Sequence, residues 1–160
     1  MKKVLFLLLF FMFFSWLSVL PRTLFAEGAA IKFEVNHIAN VFEKAGEKIN
    51  LFFKFSKEAK ASYEQYLLEK RLAELKYVID VKDGTLIEET SSRYTTYAGK
   101  LNQYIVENGI GNKEDLFDMY KRHEGVLSEL QKNFEFESGF WLLLQHGINT
   151  AKTSQQELSK

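Results

Sequence analysis

The side chains able to do chemistry are few and poorly placed for it. Three histidines, His37, His123 and His146, stand far apart along 160 residues, and there is no cysteine. His123-Glu124 begins like the helix of a zinc protease, but that motif needs a second histidine where Leu127 stands. His123 falls on an apolar helical stripe and reads as a partnered core histidine; His37 and His146 read as boundary residues. Carboxylates occur in pairs at Glu88/Glu89, Glu114/Asp115 and Glu135/Glu137. Acid–base catalysis needs two carboxyl groups in unlike environments, one kept protonated by burial. These pairs sit at helix starts or in a bend, where solvent and the helix dipole favour the ionised form, so capping and surface roles are expected. No serine lies in a nucleophile elbow, and Gly109-Ile110-Gly111 lacks both a preceding strand and a third glycine. The residues point to no catalytic centre, no metal and no cofactor.

The aromatics are the more informative candidates. Phe52, Phe53 and Phe55 cannot all share one helix face, and Phe136, Phe140 and Trp141 cluster around a bend. Packing inside the core would absorb them; left exposed, they would mark a contact patch for a protein partner or a membrane surface. Lys44, Lys48, Lys54, Lys57 and Lys60 flank the first group, as a lipid headgroup contact would want.

The elements that hold these residues read as helices. Ile38, Phe42, Ala45, Ile49 and Phe52 form one apolar face of a first helix over residues 33–53, with Glu43, Lys44, Glu47 and Lys48 around the other side. Ser56 caps a second helix whose face runs through Ala59, Tyr63, Tyr66, Leu67, Leu72, Leu75 and Ile79. Lys60/Glu64 and Lys70/Glu74 are expected on its outside as pairs four apart. Asp83-Gly84 is a turn, and Thr85 with Glu88 has the form of a capping box for a third helix through Tyr94, Leu101 and Ile105. That helix should be the frailest, because its start is rich in threonine and serine. Asn108-Gly109 stops it, Asn112 caps a fourth with Leu116, Tyr120, His123, Leu127 and Leu130 on its stripe, and Ser138 caps a fifth through Trp141, Leu144, Ile148 and Ala151. Phe134–Glu137 reads as a bend. The expectation is an all-α fold of about five helices in antiparallel hairpins or a small bundle, with a single domain over 27–155 and a polar tail fraying over 156–160.

Before this domain stands an apolar run, Val4 to Leu20, uncharged, preceded by Lys2 and Lys3 and closed by Pro21-Arg22. It reads as a leader helix over residues 1–26, either a signal peptide cleaved within 26–30 or a retained signal anchor. Lys2, Lys3 and Arg22 are three of the 21 cations, and all 21 acids follow residue 26, so residues 27–160 carry 18 cations against 21 acids. A weakly acidic domain is a poor nucleic-acid binder. Without cysteine, packing alone must hold the fold outside the cytoplasm.

The layout of Phe53-Lys54-Phe55-Ser56-Lys57-Glu58-Ala59-Lys60-Ala61, Leu67 to Leu75 and the closing stretch His146 to Lys152 resembles a bacterial domain-of-unknown-function family of exported or membrane-tethered helical proteins. The likeness covers roughly residues 34–155. It implies a helical fold and a place outside the cytoplasm, and carries no catalytic residues. The expectation is an exported, non-catalytic protein that works through protein–protein or envelope contacts, periplasmic, extracellular or tethered to the outer face of the cytoplasmic membrane. Membrane contact would come through the leader if it is retained. Alternatives are a chaperone-like or envelope-stress protein with an apolar concave face and a membrane-anchored structural module; an enzyme fits least.

Overall fold

The computed structural model describes residues 31, 32 and 34–160; the apolar run Val4–Leu20 and the cleavage region 26–30 lie outside them. Among the described residues the fold is all-α, with five helices: α1 (Val41–Phe52), α2 (Lys57–Asp80), α3 (Gly84–Asn108), α4 (Lys113–Gln131) and α5 (Gly139–Leu158). Most ends lie where the capping chemistry places them. The Ser56 hydroxyl accepts from Ala59 N–H, Asn112 Oδ1 from Glu114 N–H and the Ser138 hydroxyl from Trp141 N–H. Gly109 closes α3 in the left-handed region at φ 61°, its N–H bonded to Ile105 O.

Three boundaries differ from the sequence expectation. α1 begins at Val41 rather than near residue 33, because Asn40 builds a complete capping box: its Oδ1 accepts from Glu43 N–H (3.0 Å) and its N–H donates to Glu43 Oε2 (2.7 Å). α3 is capped by Asp83, not Thr85; the Asp83 carboxylate takes both the N–H and the hydroxyl of Thr85, leaving Thr85 inside the helix. α5 runs on to Leu158, so the expected frayed tail is mostly helix. Leu158 is buried seven residues beyond buried Ala151, and this anchors the last turn.

α2 pairs with α3 and α4 with α5, each antiparallel, and α3 also packs along α5. α2 meets α4 more narrowly, so the order around the bundle is α2, α3, α5, α4. α3 and α4, though joined by a short loop, face each other across the diagonal. The large buried side chains of Tyr94, Tyr120 and His123 fill the space between them, and the Tyr120 hydroxyl reaches across to donate to Ala98 O (2.8 Å). The core is completed by Leu68, Leu72, Leu75, Leu101, Leu127, Leu144 and Ile148. α1 lies outside this bundle, antiparallel along α2.

Candidate functional site

The way α1 sits on α2 is the unusual feature of the molecule. An amphipathic helix normally buries its apolar stripe. Here Phe42 is 88% exposed, Phe52 79% and Ile49 58%, with Val41 and Ala45 also exposed. At 3.6 residues per turn, Val41, Phe42, Ala45, Ile49 and Phe52 fall within an arc of about 120° or less, and Glu47 lies opposite its centre. Glu47 is the buried residue of α1, at 7% exposure. The helix is docked by its charged side.

Glu47 enters a buried ion network. Its Oε1 accepts from Lys70 Nζ (2.8 Å) and its Oε2 from Arg71 Nη2. Arg71 is fully buried; its Nη1 donates to both oxygens of Glu74 (2.7 and 2.6 Å), and its guanidinium lies 5.0 Å from the centre of the Tyr97 ring. Burial works against the Arg71 charge, but Glu74 and Glu47 overcome it and raise its pKa. Glu74 Oε2 also meets Arg93 of α3 at 3.4 Å, and its Oε1 accepts from Ala39 N–H (3.1 Å) just ahead of α1. The α2 side of this network comes from residues expected on that helix's outside or not singled out at all.

A second cluster is built on Glu69, the residue before Lys70 on α2. Glu69 accepts from Arg122 and from His123 Nε2 (3.1 Å), and Lys32 Nζ stands 3.6 Å from Glu69 Oε1. His123 is fully buried, and its Nδ1 lies 3.2 Å from the Tyr94 hydroxyl. Burial lowers the His123 pKa against the pull of Glu69, and burial raises that of Tyr94 well above the usual phenol value. The roles follow: the Tyr94 hydroxyl donates to Nδ1, and Nε2–H donates to Glu69. For Glu69, burial acts to raise the pKa, but the hydrogen bonds from His123 and Arg122 win and hold it at about 2. His123 is thus a partnered core histidine. His37 is exposed, between Asn36 and Glu43, and His146 is exposed on α5.

The aromatic candidates form two groups that the fold keeps apart. Phe52, Phe53 and Phe55 make edge-to-face contacts at 5.5 and 6.4 Å in the α1–α2 turn, with Phe55 89% exposed. Phe136 meets Trp141 at 4.9 Å and Phe140 meets Phe134 at 5.5 Å in the α4–α5 turn, where the Phe140 ring also covers Gly84. The first turn lies at the start of α2 and the second beside its end, a helix of 24 residues or about 36 Å.

Two hollows remain. A groove of about 820 Å³ between α3 and α5 is lined by Gly99, Asn102, Val106, Asn149, Thr150 and Ser154 among others. A cleft of about 160 Å³ where α1, α2 and α3 meet holds Glu64, whose pKa burial raises and whose Oε2 has no hydrogen-bond partner among the described residues. Glu64 is the carboxylate in an unusual environment that the sequence did not point to. The adjacent pairs are exposed: Glu114 and Asp115 occupy the first turn of α4, and Glu89 pairs with Lys44. Among the described residues no group of His, Asp and Glu stands where it could hold a metal ion.

The model of a family described as Domain of unknown function (DUF5667) matches residues 41–158. The chain belongs to the DUF5667 family. No curated protein and no solved structure matches it. The DUF5667 match starts on the first residue of α1 and ends on the last of α5. The helix with the outward apolar arc is therefore part of the DUF5667 domain and not an appendage to it.

Proposed function

We propose that this protein is an exported helical module that acts by contact and not by catalysis, with α1 as its working surface. The observation that carries the reading is the orientation of α1: charge inward, apolar arc outward. A contiguous apolar surface left in water marks an interaction site more often than not, and this one is continued by Phe53 and Phe55 beyond the helix end. Export rests on Lys2, Lys3 and the run Val4–Leu20. The chaperone-like alternative calls for an apolar concave face, and the groove between α3 and α5 is where such a face would lie.

Intact-mass analysis of the protein from fractionated native cells tests the reading. Export predicts either loss of about the first 26–30 residues or the full mass in the membrane fraction. The full-length chain in the soluble cytoplasmic fraction overturns it. The non-catalytic part fails if the purified protein turns over an envelope substrate and Glu64→Gln abolishes that turnover.

A further inference from the structure

The arc on α1 and the cations around it define the kind of partner it fits. We propose that α1 is an interfacial helix that lies in the plane of a membrane rich in anionic phospholipid, with Val41, Phe42, Ala45, Ile49 and Phe52 sunk among the headgroups and Phe53 and Phe55 extending the inserted face.

Two observations favour a lipid surface over a protein partner. The first is charge. Lys48 stands at the edge of the arc, Lys54 lies between Phe53 and Phe55 with its ammonium 5.3 Å from the centre of the Tyr63 ring, and Lys57 follows the aromatics; all three are exposed. Of the acids in residues 41–60, Glu47 is buried against Arg71 and Lys70, and Glu43 is tied to Asn40 and His37. Glu58 is left exposed near the lysines, and Glu89 of α3 takes up Lys44 at 3.2 Å. A cationic rim around an apolar strip is what an anionic interface binds. The second is reach. Ten residues, Pro21–Ala30, link the apolar run to Ile31, and Lys32 and Ala39 are fixed to α2 through Glu69 and Glu74. Even fully extended, that link spans at most about 35 Å. If the run stays in the bilayer as an anchor, α1 is held beside it.

The inference rests on the contact-module reading. The two can fail separately, because fractionation reports where the chain goes and the following experiment reports what α1 touches. The chain has no cysteine, so each introduced one is a unique label site. Full-length protein carrying Ala45→Cys or Ile49→Cys, labelled with an environment-sensitive fluorophore, is reconstituted into phosphatidylglycerol/phosphatidylethanolamine vesicles or into phosphatidylcholine vesicles. Gln156→Cys, exposed on α5 diagonally across from α2, is the control. The expected result is a blue shift and quenching by shallow lipid-borne nitroxides at 45 and 49, in anionic vesicles, with none at 156. Adding Lys48→Glu and Lys57→Glu is expected to lower the inserted fraction at fixed anionic lipid at least about tenfold, at roughly one such factor for every one to two charges. Probes at 45 and 49 that stay in water while the chain floats with the vesicles overturn the proposal. So does a shift that grows with protein concentration and resists lipid quenching, which marks a second copy. Equal insertion into phosphatidylcholine, indifferent to the lysine reversals, overturns the anionic assignment.

Discussion

Replacing Glu47 by glutamine is expected to loosen α1 while leaving the bundle intact. The carboxylate accepts two charged hydrogen bonds, from Lys70 at 2.8 Å and from Arg71, inside a site that is 9% exposed on the side chain of Glu47. Glutamine is the same size but accepts through one oxygen and turns an N–H₂ group toward the second cation. One charged hydrogen bond is therefore lost, worth about 1.5–3 kcal/mol. The lower end applies, since Arg71 keeps Glu74 and Lys70 retains some access to water. A loss of about 1.5–2 kcal/mol corresponds to about 10- to 30-fold faster opening-limited exchange. Native-state hydrogen exchange reads it directly. Amides within residues 45–52 are expected to accelerate by that factor, those of α4 and α5 to stay unchanged, and the difference to persist in high salt because the pair is buried. The partner experiment is Phe42→Ser with Ile49→Ser, which removes the outward arc while serine keeps a similar helix propensity; it is expected to change stability by no more than about 0.5 kcal/mol per site. If the serine variant frees α1 and Glu47→Gln does not, the helix is docked by its apolar face and the reasoning is wrong. Equal acceleration in α4 and α5 would show instead that α1 belongs to the cooperative core.

The remaining predictions concern the bundle. His123 is held neutral below its ordinary value of 6.5, so its stabilisation is present above pH 6.5 and is lost as pH falls from there toward the lowered native value; Glu69, at about 2 against 4.5, contributes above pH 4.5 and loses its contribution between about 4.5 and 2. Urea unfolding across pH is expected to show both windows, and His123→Gln, which keeps one donor and one acceptor, to remove the upper one. Tyr94→Phe leaves His123 Nδ1 buried without its donor and is expected to cost about 1–3 kcal/mol with an unchanged denaturant slope. Leu158→Ala is expected to cost about 2 kcal/mol by the same measurement if α5 is anchored at its end, against near zero if the last residues fray.

The fold was legible where local chemistry decides the structure. Ser56, Asn112 and Ser138 as caps, Gly109 as a stop and Phe134–Glu137 as a bend all depend on a side chain bonding its own neighbouring backbone or on a left-handed residue. What the sequence did not show depends on which way a face points. The periodicity of Ile38, Phe42, Ala45, Ile49 and Phe52 announces an apolar face but is silent on whether protein or something else covers it. In α2 a signal was present. At 100° per residue Arg71 falls between Leu67, Val78 and Leu75, all buried, so an arginine was inside the apolar arc and needed acidic partners. Its partners come from α1 and from one turn along α2, and no pattern in a single chain names Glu47 as one of them.

The two unusual features explain each other. A buried arginine with two carboxylates is seldom the most stable solution, since well-packed apolar side chains of similar volume often do as well or better. Burying the Phe42–Ile49–Phe52 stripe against α2 would be the ordinary way to dock α1, and it would stabilise the helix by roughly 1.5–3 kcal/mol for each large side chain covered. The chain instead holds α1 by Glu47, Lys70 and Arg71 and leaves the stripe in water. Ionic docking has one property that apolar docking lacks: it fixes the rotation of the helix, because Glu47 must meet Arg71 and Lys70 together. With Glu47 so placed, the stripe on the opposite side can only point outward. The buried charges are therefore what aims the apolar arc, and a variant that replaces Glu47, Arg71 and Glu74 together by apolar residues, leaving none of the three unpaired, would be expected to keep its stability as it loses that aim.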